Sequence, residues 1–217
     1  MRAPLLGCSI LFAAAVAFAQ DLVVAPQTKP LPSGVADPLV ALLATSGDRV
    51  SIGDKVLDFW WVKSLPLRSG SAEAGWSAVD EGTLVGVVQL EAPYHEMRGK
   101  PLRPGVYTLR YSLQPENGDH LGVSPYREFL LLSPAAVDTT AATLGHDGTI
   151  ALSRQAIGLT HPAVWSLDPP VASGAPHSLI KNQAGQSGVV FQVPISRDGK
   201  DIGTMAFGLI LVGEIQS

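Results

Sequence analysis

The segment that most constrains the fold is Gly105-Val-Tyr-Thr-Leu-Arg-Tyr-Ser-Leu113, where Tyr107, Leu109, Tyr111 and Leu113 alternate with Thr108, Arg110 and Ser112. Successive side chains of a strand point to opposite faces, so this spacing predicts a half-buried β-strand with one apolar and one polar face. Such a strand needs partners. Val56 to Val62, Leu84 to Glu91, Tyr126 to Ser133, Ser187 to Ile195 and Ile202 to Val212 are apolar, with many branched or aromatic residues, and most lie between Gly, Pro, Asn or Asp turns. Arg197-Asp-Gly-Lys200 carries the Asp-Gly pair of a tight hairpin between the last two. Pro194 predicts an edge or bulge near the end of its strand. The unbroken apolar character of 202–212 predicts burial on both faces, and at about half the length a membrane helix needs it is no span.

Helical signals are few. Asp37-Pro38 suits the start of a short helix through Leu39, Leu42 and Leu43, because proline fits the first helical turn. Thr149 to Ile157 reads as a helix with Thr149 as N-cap and Gly158 as its stop, although Ile150 and Leu152 fit a strand as well. Many short strands with no regular strand–helix alternation predict a mainly β chain, an antiparallel two-sheet sandwich with one or two short helices. At 46% hydrophobic and 16% charged residues, the composition is that of a folded chain with a substantial core.

The first residues bear on where that core works. Arg2, the apolar run Leu5 to Phe18 and Ala17-Phe18-Ala19 are the three parts of a secretory signal, with cleavage expected between Ala19 and Gln20. The only cysteine, Cys8, leaves with the leader, so stability is expected from packing without disulfides. Leu5-Leu6-Gly7-Cys8 looks like a lipobox, but its apolar residues mostly follow the cysteine where an anchor signal needs them before it. The expected organisation is a signal peptide at 1–19, an extended arm at 20–34 carrying Pro26, Pro30 and Pro32, and one β-sandwich domain at 35–217. The expected location is periplasmic or extracellular. A formal net charge of -4 gives no electrostatic reason to bind nucleic acid or anionic lipid.

Pro101-Leu-Arg-Pro-Gly-Val-Tyr-Thr-Leu109 resembles the turn-then-strand element of transthyretin-like and carboxypeptidase-regulatory-like β-sandwich domains. The resemblance implies that the Pro104-Gly105 turn feeds a strand whose tyrosine, Tyr107, packs between sheets. The longer block through Gln114 to His120 and Ser124 to Phe129 looks like a group of uncharacterised exported bacterial proteins, which implies a shared core and no particular reaction.

Three places invite a ligand. Gln114 to Pro125 is long for a hairpin, which typically needs about 2 to 5 residues, and it gathers Glu116, Asn117, Asp119 and His120 beside Tyr126 and Arg127. Long polar loops on a rigid platform are where binding concentrates, so Asp119, His120, Tyr126 and Arg127 are the ligand-binding candidates. A loop folded on itself through an Asn117-Gly118 turn explains the same residues. Tyr94-His95-Glu96-Met97 offers donors of the kind that exported copper or zinc proteins use, which makes His95 and His120 the metal candidates; a solvated loop end is the plainer account. His161 and His177 sit beside prolines as turn histidines. Trp60, Trp61, Trp76 and Trp165 would stack on sugars if exposed, though large aromatics in a sandwich usually fill its core. No nucleophile elbow, zinc helix, P-loop or dinucleotide fingerprint is present. The sequence therefore favours an exported, non-catalytic binding or structural protein of unknown small-molecule, glycan or envelope-protein partner, with metal binding and carbohydrate binding as alternatives.

Overall fold

The six expected strands form close to their expected bounds, and strands that the sequence does not announce join them in one large sheet. The computed structural model describes residues 22–116, 124–158, 160–169 and 175–213. In chain order the strands are β1 (Leu22–Gln27), β2 (Gly47–Ile52), β3 (Lys55–Trp61), β4 (Leu65–Leu67), β5 (Leu84–Leu90), β6 (Tyr94–His95), β7 (Pro101–Leu102), β8 (Gly105–Leu113) and β9 (Glu128–Pro134). They are followed by β10 (Ala163–Asp168), β11 (Leu179–Lys181), β12 (Ser187–Arg197) and β13 (Lys200–Val212). The helices are α1 (Asp37–Val40) and α2 (Gly145–Ile157).

Hydrogen bonding links the strands in the order β1-β2-β3-β5-β8-β9-β10-β13-β12-β11, with β6 and β7 as a separate small pair. The chain is mainly β, as expected, but the two layers of the expected sandwich are limbs of one curled sheet. The bend is made at β10. Its residues Ala163 to Ser166 pair with β9, and Leu167 and Asp168 pair with β13. A strand that changes partners midway carries a sheet round a corner. The curl is drawn together on the other side by β4, which follows β3 after three residues and pairs in parallel with β12 through Leu65 and Ile195.

The core lies inside the curl. Leu57, Phe59 and Trp61 of β3, Tyr107, Leu109 and Tyr111 of β8, and Val189, Phe191 and Val193 of β12 are buried in one cluster. Phe59 stacks on Trp61 with centroids 5.2 Å apart, and both rings meet Phe191 across the curl at 5.4 and 4.8 Å. Gly86 sits opposite Trp61 in the register because the indole occupies the space of a side chain: a Cβ there would lie 2.8 Å from Trp61 Cε3. Tyr107 is buried on the inner face of β8, with its hydroxyl donating to Arg103 O at 2.8 Å.

The polar face of β8 is not solvated. Alternation predicts a wet side for Thr108, Arg110 and Ser112, yet all three are buried. α2 and the segment leading into it cover that face. Arg110 spends all five N–H donors: two on Asp138, and the rest on the carbonyls of Gly82, Thr140 and Ala142. Thr108 Oγ1 also donates to Asp138, at 2.6 Å. α2 starts at Gly145, four residues before the expected Thr149 cap, and ends at Gly158, whose φ of 64° suits the left-handed stop. Ser153 on its inner side donates to Leu132 O at 2.7 Å and accepts from Ala163 N at 3.0 Å, fastening the helix to β9 and β10.

The expected arm is partly sheet. β1 pairs with β2 along its whole length, including Pro26 opposite Asp48. An edge strand accommodates a proline because one side of its backbone has no partner. Beyond it, Lys29 O accepts from Trp60 Nε1 at 3.1 Å, which helps cover the first of the two adjacent tryptophans from outside. The Arg197–Lys200 hairpin forms as read, with Asp198 and Gly199 at φ 52° and 73°.

Candidate functional site

A cleft of about 520 Å³ opens where β2 and β3 come apart. Asp48 pairs with Phe59, but beyond it the chain bulges through Thr45 to Gly47, and pairing resumes with Ala44 N donating to Trp61 O at 2.9 Å and Leu43 opposite Val62. Gly47 is required at this bulge. A Cβ on it would lie 1.8 Å from Phe59 O, a carbonyl that also accepts from Gln27 Nε2 at 3.2 Å. One wall of the cleft is thus the end of β1 with the bulge, the floor is Trp61 and Val62, and the opposite wall carries Gln192 and Pro194 of β12.

Asp48 is the anionic group of this lining. Its register opposite Phe59 turns it toward the inside of the curl, where its Oδ2 accepts from Trp61 Nε1 at 2.8 Å. Its Oδ1 lies 2.7 Å from His177 Nε2. His177 comes from the turn before β11, near the opposite end of the strand order, so this pair ties the two ends of the curled sheet together. The turn is held by His177 N donating to Val190 O, and its φ of 65° places a residue other than glycine in the left-handed region. Lys63 is the cation of the lining, and its ammonium donates to Ala41 O at 2.8 Å.

The residues singled out by sequence fall elsewhere. Asp119 and His120 lie outside the described residues. Tyr126 is exposed, while Arg127 donates to Gln114 O through Nε and Nη2 and pairs with Glu116, which closes the base of the loop on itself. His95 is exposed on β6, and its neighbours turn inward. Tyr94 donates to Leu211 O from the core. Glu96 accepts the backbone N–H groups of Arg98, Lys100 and Val164, and Met97 packs with Phe129 and Leu131. Glu96 and Met97 therefore serve the turn and the core beneath α2. Among the described residues no three His, Cys, Asp or Glu side chains gather as a metal-binding group. Trp60, Trp61 and Trp165 are buried, and the half-buried Trp76 stacks on Tyr111 at 5.0 Å.

Two further polar clusters hold the scaffold. Asp58 is buried on β3 and receives Arg49 through two bonds and Lys29 through one, at 2.7 to 2.8 Å. Glu81 accepts from Leu113 N and Ser112 Oγ and faces His146 Nδ1 at 2.7 Å. Ser112 and His146 meet on that same nitrogen, at 3.4 Å, so the group lacks the relay of a nucleophilic triad, which needs the base to use both ring nitrogens. Burial would raise the pKa of each carboxyl. At Asp58 the bonds from Arg49 and Lys29 outweigh it, and at Glu81 those from Leu113, His146 and Ser112 do, so both are held below the usual carboxylate range. A carboxyl with a depressed folded pKa contributes stability that is present above its unfolded pKa and lost as pH falls through the folded one. Unfolding free energy should therefore drop on acidification from about pH 5 to about pH 2. Denaturant titrations across that window check this, and Asp58→Asn should flatten the slope.

In the sequence His177 reads as a turn residue, and Asp48 carries no signal of its own. The two are 129 positions apart, and neither belongs to a motif. The Pro176-His177 pair marks the fixed turn but not its partner. Comparison of the chain with family models, with curated proteins and with solved structures gives no match.

Proposed function

We propose that the protein is an exported, non-catalytic binding protein whose small-molecule ligand occupies the cleft between the β1–β2 end and β12. The observation that carries this reading is the cleft itself: about 520 Å³, within the roughly 300 to 1,000 Å³ of small-molecule sites. Its lining sets an apolar floor of Trp61 and Val62 beside the polar side chains of Gln27, Thr28, Ser46, Asp48, Lys63 and Gln192, which are placed to orient a ligand. Strands β1, β2, β3 and β12 carry much of its lining, and strands hold a binding geometry more closely than loops do. Export is supported by the order of Arg2, the apolar run and Ala17-Phe18-Ala19.

Ser46 is exposed on the bulge and lines the cleft, so Ser46→Trp should fill it without touching the core. A saturation-transfer screen of small polar and aromatic fragments, with copper and zinc included, is expected to give hits on the wild type that vanish in Ser46→Trp. The melting temperature of the variant should stay within a few degrees. Hits that survive the filled cleft, or binding only of metal that depends on His95, would overturn the assignment.

A further inference from the structure

We infer that the ligand carries a compact cation, an ammonium group, seated on Asp48; this rests on the cleft being the binding site. An ionised carboxylate has about four acceptor positions on its two oxygens. Asp48 uses one of them on Trp61 Nε1 and one on His177 Nε2. Both neighbours fix the plane of the carboxylate from the side of the protein, and the group stays 16% exposed on the cleft lining. A carboxylate immobilised by an indole and an imidazole cannot turn away from a ligand, so the direction of its remaining lone pairs is set before binding. Preset geometry of this kind lowers the ordering cost of association.

The surroundings narrow the chemistry. An anionic ligand would meet the Asp48 carboxylate directly, and the cation of the lining, Lys63, is held toward Ala41 O at 2.8 Å with two donors left. An uncharged ligand would displace water from the exposed part of the carboxylate, which costs free energy unless a donor reaches the acceptor positions that Trp61 and His177 do not use. An ammonium supplies up to three donors and the opposite charge, and a charge-assisted bond of this kind is roughly twice as strong as a neutral one. Trp61, Val62, Pro26 and Pro194 of the lining take the apolar body that carries the ammonium. The class is therefore a small primary amine with an apolar body.

The test uses three probes of one shape, 2-phenylethylamine, 2-phenylethanol and 3-phenylpropionate, titrated into the full folded protein while backbone amide shifts are followed by NMR. The amine is expected to shift the amides of Gln27, Asp48 and Lys63 saturably, at least tenfold more tightly than the alcohol. Asp48→Asn, which keeps the shape and an acceptor oxygen, should erase that preference and leave the spectrum otherwise folded. Equal or tighter binding of the alcohol or the acid at the same amides would overturn the ammonium assignment while leaving the cleft as the site. Shifts at none of these amides with any probe would overturn both.

Discussion

Asp138→Ala is expected to lower the unfolding free energy by about 3 to 5 kcal/mol, because it leaves the guanidinium of Arg110 buried with no counter-charge. Both side chains are fully excluded from solvent and joined by two bonds, Nε to Oδ2 at 2.7 Å and Nη2 to Oδ1 at 2.8 Å. The loss reaches beyond the pair. Arg110 also holds the carbonyls of Gly82, Thr140 and Ala142, so it fixes the segment that delivers α2 to the outer face of β8 and β9. Replacing both partners together, Arg110→Met with Asp138→Leu, should cost less than the single change, since no charge is then stranded. Guanidinium titrations give the midpoints, and an Asp138→Ala loss below about 1 kcal/mol would mean that water reaches the pair.

Phe59→Ala should cost a comparable 3 to 5 kcal/mol, about what truncating a buried aromatic costs. The ring meets Trp61 at 5.2 Å, Phe191 at 5.4 Å and Trp165 at 5.9 Å, so it joins three parts of the curl at one point. Those neighbours are large and mutually packed, which limits how far they can collapse into the space. Phe59→Leu keeps most of the volume and should cost under about 1.5 kcal/mol. Similar losses for the two variants would show that the aromatic contacts, and not the filled volume, dominate there.

The local half of the fold is legible in the sequence, and the reason is alternation. β8 matches its expected bounds at both ends, and the Asp198-Gly199 turn forms where an Asp-Gly pair between two apolar runs places it. The curl itself is not legible. It depends on β10 changing partners at Leu167 and on the parallel meeting of Leu65 with Ile195, and neither leaves a local pattern. The polar side of β8 misleads for a related reason: Thr108, Arg110 and Ser112 read as a wet face because a sequence cannot show that Asp138 and Glu81 will come to satisfy them. β1 and β2 escape notice because Pro26 and the charged Asp48 and Arg49 break the apolar signal on an edge. The cleft follows from that same edge. Its residues come from four strands or their flanks, and Asp48 meets His177 only once the curl has closed.

A crystal structure of the protein with the tightest fragment from the screen tests the central claim most directly. The predicted result places the fragment over Trp61 and Val62, between Gln27 and Gln192, with a donor on the Asp48 carboxylate. A fragment seated instead against Tyr126 and Arg127, with the cleft unchanged, would contradict it.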